Sequence, residues 1–215
     1  MPAELTEKAA LIVVDVQADF MPGGPLPCHQ GDAILAPLAR LIRQRRFRHL
    51  VATQDWHPAG HASFASSHPG RQPFETIQLH GHTQILWPEH CVEGRPGAAL
   101  HPAIDWTPAD LILRKGRQLQ VDSYSAFREN VDAYGQRQPT GLAGWLRERG
   151  VSEVWVAGLA RDYCVLWTAE DARAEGFRTR LCWDLSRPAD ADSDAAVRAS
   201  CTRAGIEIAD VTPDT

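Results

Sequence analysis

Residues 9–16 (AALIVVDV) form a continuous apolar run rich in β-branched side chains, broken only by Asp15. That pattern predicts a strand buried on both faces of a parallel sheet. Further strands are predicted at 49–53 (running on to Gln54 and Asp55), 110–114, 151–157, 177–183 and 206–209. Between them the spacing turns helical. Ile34, Leu35, Leu38, Leu41 and Ile42 recur on one face of the segment 31–46. Helices are also predicted at 142–149, 162–175 and 193–204, each closed by a glycine (Gly150, Gly176, Gly205) suited to the left-handed position past a helix end. The stretch 58–108 shows little periodicity and many Gly, Pro, Ser and His residues. It is too long for a plain connection and is expected to be a functional excursion.

Strands alternating with helices predict an α/β fold with a mostly parallel sheet. Right-handed crossovers put helices on both faces, and the ligand crevice then lies beyond the carboxyl ends of the strands. No internal repeat is visible. The 215 residues fit one domain, with the excursion at about 56–108 as its inserted lobe.

Composition narrows the function classes. The 22 Lys and Arg against 27 Asp and Glu leave a net charge of −5, which disfavours binding to nucleic acid through overall charge. The basic cluster at 43–48 ends a helical segment and is expected to be a solvated helix end. No run of 18 apolar residues suggests a membrane span, and residues 1–8 carry no signal-like pattern. A cytoplasmic protein is expected. The five cysteines form no C-x-x-C pair, and an odd number cannot all pair within one chain, so neither a disulfide framework nor a zinc ribbon is expected.

Four chemically useful groups fall at predicted strand ends: Asp15 after the first, Asp55 after the second, Lys115 after the third and Cys164 after the fourth. Each has a plain alternative. Asp15 could be a satisfied loop carboxylate and Cys164 an inert buried thiol. Together they converge on one crevice. A cysteine at a helix N-terminus feels the positive end of the helix dipole, which favours the nucleophilic thiolate. Asp15 can take a thiol proton and return it to a leaving group, and Lys115 can stabilise both anions.

Histidine is unevenly spread. Seven of nine lie between positions 57 and 101. Asp55-x-His57 offers two ligand types on a short tether, with His61, the pair His80/His82, and His90 as further donors. Such a set suits zinc, iron or manganese. Spacing alone does not choose between His80/His82 and His90.

Several ordered stretches then carry a resemblance: LIVVDVQADFMPGGPL at 11–26, TQDWHPAGHASFASSH at 53–68, LWPEHCVEGRPGAALHP at 86–102, RKG at 114–116, VDSYSAF at 121–127 and GLARDYCV at 158–165. Over roughly residues 8–209 the chain resembles the nicotinamidases (pyrazinamidases) of the isochorismatase-like cysteine hydrolase superfamily. The resemblance implies a three-layer α/β/α sandwich around a six-stranded, mostly parallel sheet, and a catalytic triad of Asp15, Lys115 and Cys164. It implies one divalent metal ion, zinc first with iron or manganese as alternatives, held by Asp55, His57 and His90, with His61 a further candidate ligand. It implies that Phe20 and Trp87 clamp a flat substrate ring, although core packing alone would also account for them, and that Tyr124 and Phe127 add to the pocket wall. It implies a cis peptide at Leu159–Ala160 that turns the Ala160 N–H towards that of Cys164, forming an oxyanion hole.

The activity so implied is hydrolysis of nicotinamide to nicotinate and ammonia through a cysteine thioester, extending to pyrazinamide, within NAD salvage. The partner is a small molecule, not a nucleic acid or a membrane, and a homodimer is a candidate assembly. Another amidohydrolase of the superfamily, acting on an N-carbamoyl or ureido compound, is the alternative. Two departures stand out. Arg161 occupies a place where threonine is common, with an expected effect on the pocket entrance. The sequence CWDLSRPAD at 182–190 replaces a more usual glycine- and cysteine-bearing turn.

Overall fold

The structure, a computed structural model, describes residues 8–211. Of the stretch 1–8 read above for a signal pattern, all but Lys8 lies outside the described residues. The elements run β1 (Ala9–Val14), α1 (Leu35–Arg43), β2 (His49–Asp55), β3 (Thr76–Leu79), β4 (His82–Ile85), β5 (Leu111–Lys115), β6 (Arg128–Val131), β7 (Arg137–Pro139), α2 (Leu142–Glu148), β8 (Glu153–Leu159), α3 (Leu166–Ala174), β9 (Arg178–Arg187), α4 (Asp194–Ala204) and β10 (Glu207–Ala209).

Six strands form one sheet in the order β10-β9-β8-β1-β2-β5, and every pairing in it is parallel. The apolar run of β1 is explained by its central position. Its period-2 alternation sends Ala9, Leu11 and Val13 into a core shared with Leu38, Leu41 and Ile42 of α1. Ala10, Ile12 and Val14 enter a second core with Leu142 and Leu146 of α2, Leu166, Ala169 and Ala172 of α3, and Val197 and Cys201 of α4. Helices thus cover both faces. The strand order reverses direction around β1, so the crevice expected for such sheets opens beyond the carboxyl ends of β1, β2 and β8. At that point β8 passes so close to β1 that a Cβ on Gly158 would lie 2.0 Å from the Val14 carbonyl oxygen. Among the described residues, no helix is long and apolar enough to cross a membrane.

The structure shifts several predicted boundaries. β1 stops at Val14 because Asp15 adopts a left-handed backbone, φ +49°, and its N–H goes to Thr53 Oγ1 (3.1 Å) instead of the ladder. Helix α1 ends at Arg43, and Arg45 at φ +46° turns the chain away. The helix predicted from 162 begins as a π-helical turn, Arg161–Val165, before α3. β9 runs on to Arg187, past its predicted end at Trp183. The excursion contains the antiparallel hairpin β3–β4, closed by His80 (φ +51°) and Gly81 (φ +79°). Two successive positive φ values are what a tight two-residue hairpin needs. A second hairpin, β6–β7, precedes α2, and Arg137 fixes it to α3 through a two-pronged ion pair with Asp171 at 2.7 and 2.8 Å.

Candidate active site

Asp15, Asp55, Lys115 and Cys164 meet at the carboxyl ends of β1, β2, β5 and β8. Lys115 is fully buried, and its ammonium is the hub. Its Nζ donates to Asp55 Oδ1 (2.9 Å), to the Ser123 carbonyl (2.9 Å) and to Cys164 Sγ (3.5 Å). The Asp15 carboxylate lies against the same cation, Oδ2 to Nζ 2.8 Å. Thr53 Oγ1 donates to Asp15 Oδ1 at 2.5 Å. Oδ2 has the ion-pair contact but no aligned hydrogen bond, so it keeps a lone pair with which to take a proton. A buried ion pair tolerates desolvation only with such additional partners, and here the cation has them.

Burial pushes the Asp15 carboxyl up, against the pull of Lys115. The Cys164 thiol is raised well above its ordinary value, again by burial and against Lys115, with Asp15 and Asp55 adding to the rise. The Lys115 ammonium is held charged: burial opposes it, but Asp15 and Asp55 overcome that and raise it well above the usual range. The turn at Cys164 is a π-helical one, and burial, with Asp15 and Asp55 adding to it, works against the thiolate that a helix start favours, so the thiol depends on the adjacent Asp15 as its base.

Asp55 continues the cluster on its far side. Its Oδ2 lies 2.9 Å from His57 Nε2 and 3.3 Å from His90 Nε2. Burial raises Asp55, but His57, Lys115 and His90 together hold it well below the usual carboxylate range. Both imidazoles are oriented from behind: His57 Nδ1 lies 2.9 Å from the Gly116 carbonyl and His90 Nδ1 2.8 Å from that of Pro88. A backbone carbonyl at Nδ1 fixes that nitrogen as the N–H and leaves Nε2 as the ligand atom. Asp55, His57 and His90 can therefore hold a metal ion, and the donor set suits one.

Gly116 is required by this arrangement. Its φ is +68°, and a Cβ there would stand 2.5 Å from His57 Cε1 and 2.7 Å from Nδ1. Gly116→Ala is expected to tilt the His57 ring. It should weaken binding of an added divalent cation at least about tenfold and lower stability by about 1–3 kcal/mol. Titration calorimetry with zinc and a thermal melt read the two effects.

The remaining candidates divide. His61 is buried, with Nδ1 2.8 Å from Ser63 Oγ and Nε2 3.2 Å from the Val121 carbonyl. Burial and the neighbouring His57 push it down to about 4. It groups with His57 and Asp122, not with the Asp55–His57–His90 set. His82 is exposed on β4, and His80, half-buried in the hairpin turn, has its Nε2 2.7 Å from the Gln120 carbonyl. Phe20, Trp87, Tyr124, Ala160 and Cys164 line one pocket with Asp55 and His90. Trp87 Nε1 donates to Tyr124 Oη (3.1 Å), which fixes the indole plane. The Leu159–Ala160 peptide is cis. Phe127 is corrected: it packs against Phe177 in the core beneath α2 and α3 (ring centroids 5.9 Å apart), away from the pocket.

Sequence reasoning missed five wall residues, Leu26, Cys28, Asp122, Tyr163 and Ala189. Tyr163 stands edge-on to Trp87, ring centroids 5.0 Å apart. Its position next to Cys164 was the available signal. Asp122 accepts from Gln84 Nε2 at 2.7 Å, a contact across 38 residues that no local pattern announces. All five cysteines are unpaired thiols.

Comparison with known proteins bears on the family and the fold. The isochorismatase domain model matches residues 9–212. A nicotinamidase of Acinetobacter baylyi is 49% identical over 181 residues, covering 84% of this chain and 82% of the relative. The structure of a nicotinamidase/pyrazinamidase from Acinetobacter baumanii superposes with a TM-score of 0.89 at 42% identity, covering 96% of this chain and 97% of that one. A pyrazinamidase of Pyrococcus horikoshii, solved in complex with zinc, superposes with a TM-score of 0.75 at 33% identity, covering 94% of this chain and 99% of that one. The chain belongs to the nicotinamidase/pyrazinamidase group of the isochorismatase family.

Proposed function

We infer that the protein hydrolyses nicotinamide to nicotinate and ammonia, with pyrazinamide as a further substrate. The observation that carries the reading is the buried Lys115 ammonium holding Asp15, Asp55 and the Cys164 thiol together at the floor of an aromatic pocket. A flat heteroaromatic amide gains from stacking on Phe20 and Trp87, with its carboxamide over Sγ.

Asp15 Oδ2 takes the thiol proton as sulfur attacks the amide carbon. The developing oxyanion is received by the N–H groups of Ala160 and Cys164, preorganised donors of the kind that stabilise such charge. Asp15 then hands its proton to the departing nitrogen. Ammonia leaves, and the acyl group remains on sulfur as a thioester. Asp15, again unprotonated, deprotonates a water that attacks the thioester, releasing nicotinate and restoring the thiol. Lys115 stays charged throughout and balances whichever of Asp15 and Cys164 is anionic. The route divides one difficult displacement into two easier ones.

A divalent cation held by Asp55, His57 and His90, zinc by analogy with the Pyrococcus relative, would supply a Lewis-acidic centre for the pyridine nitrogen. We place His61 behind this set rather than in it, because its Nε2 faces the Val121 carbonyl and not the Asp55 carboxylate on which His57 and His90 meet. The test is ammonia release by purified protein from nicotinamide and pyrazinamide, beside N-carbamoyl and ureido compounds. Turnover of the first pair is expected. Turnover confined to the second would replace this reading with that of a carbamoyl amidohydrolase.

A further inference from the structure

Arg161 sits between Ala160 and the nucleophile, yet its side chain is buried and leaves the pocket altogether. This overturns the expectation that it shapes the entrance. The guanidinium runs behind the nucleophile turn to β9 and α4. Its Nε donates to Ser186 Oγ (3.0 Å), one terminal nitrogen to Asp194 Oδ1 (2.7 Å), and the other to the carbonyls of Trp183 (3.1 Å) and Ser186. Its plane lies over the Trp183 ring, 3.9 Å from the centroid.

The reason for these contacts is in the sheet. Val156 pairs with Leu181 and Gly158 with Ser186, so one residue of β8 faces four of β9, residues 182–185. Such a bulge takes backbone carbonyls out of the ladder, and buried carbonyls need donors. Arg161 supplies them to Trp183 and Ser186, and Ser186 Oγ supplies Cys182 (2.9 Å). The two departures noted in the sequence, Arg161 and the stretch 182–190, are therefore one structural unit. The next residue adds a second tie: the Asp162 carboxylate accepts the N–H groups of Ala189 (2.8 Å) and Asp190 (2.9 Å).

We propose that Arg161 is a positioning residue for the nucleophile: its guanidinium locks the turn carrying Ala160 and Cys164 onto the bulged end of β9 and the start of α4. The turn is a single π-helical one, a conformation that is rare and tends to sit at functional sites. Its own hydrogen bonds do not hold it against β9, whereas the planar fork of Arg161 does so at three acceptors on β9 and adds a fourth on α4. A lysine, a point charge without a fork or a stacking plane, cannot replace it.

The inference rests on the proposed amidase activity for one of its two readouts. In Arg161→Gln and Arg161→Lys, kcat for nicotinamide is expected to fall roughly 10- to 100-fold, the scale of a small misplacement of reacting groups, with KM within about threefold. Alkylation of Cys164 by iodoacetamide, followed on its peptide by mass spectrometry, should change rate in the same variants. Arg198→Ala, which removes another guanidinium from over Trp183, should leave both readouts within about twofold. A folded Arg161→Gln with wild-type kcat and wild-type alkylation overturns the proposal. So does a variant whose only change is a lower melting temperature. If Arg161→Gln does not fold, Ser186→Ala carries the test: a smaller loss of the same kind is expected, and unchanged kcat and alkylation overturn the idea. A native protein that releases no ammonia from nicotinamide refutes the activity, and the alkylation readout still judges the clamp.

Discussion

Cys164→Ala is expected to abolish ammonia release from nicotinamide, by on the order of 10⁴-fold or more, while leaving nicotinamide binding intact. The substitution removes one sulfur from a nearly buried position and leaves the pocket wall of Phe20, Trp87 and Tyr124 in place. Lys115 keeps both carboxylates, Asp15 at 2.8 Å and Asp55 at 2.9 Å, so the buried charges stay paired. Covalent attack is lost, and with it the division of the reaction into two steps. Asp15 alone could still act on water, but no residue would then hold that water over the amide carbon. Asp15→Asn should be nearly as damaging for a different reason. Its shape is kept, but the Cys164 thiol, raised by burial, then has no adjacent base. Ammonia release and calorimetric binding of nicotinamide separate the cases. Wild-type turnover by Cys164→Ala would reject the sulfur as nucleophile.

The strand ends were legible because their physics is local. A β-branched run ending in Asp15, and a strand ending in Lys115-Gly116, declare both the sheet and the polar groups at its mouth. What stayed hidden depends on distant partners. The direction of the Cys164 shift could not be read from its helix-start position, because it is set by burial and by Lys115, Asp15 and Asp55, which arrive from three other strands. Arg161 beside a nucleophile suggested the entrance. Its destination is set by a bulge in β9, and so by a register shift that leaves no periodic signal. The β3–β4 hairpin was missed because its strands are only four residues long: the alternation of Ile77 and Leu79 in β3 is too short to stand out, and β4 has none. That hairpin in turn explains much of the histidine crowding, since His80 makes its turn and His82 opens its second strand. Only the meeting of His57 and His90 on one Asp55 oxygen distinguishes ligand candidates from the rest.

Removing that meeting point is the second large expected effect. His57→Ala combined with His90→Ala should empty the site of a divalent cation, from about one per chain to a small fraction by elemental analysis. Turnover should fall by roughly 10²- to 10⁴-fold, the cost of losing a polarising centre and the ring orientation with it. The histidine pair is the cleaner test because Asp55 has two allegiances. Its Oδ2 faces the imidazoles and its Oδ1 accepts from Lys115. In Asp55→Ala the ammonium would lose one of two counter-charges and draw closer to Asp15, lowering the basicity that the mechanism requires. Activity lost in that variant would mix two causes. The histidine variants leave Lys115, Asp15 and Cys164 in place but also remove two partners of Asp55, so reversible chelation is what assigns the loss to the cation. Chelation of the unmutated protein should reproduce the loss, and added zinc should reverse it. A protein stripped to a negligible metal content that still turns over at the original rate would remove the cation from the chemistry and leave Asp55, His57 and His90 as a hydrogen-bonded wall.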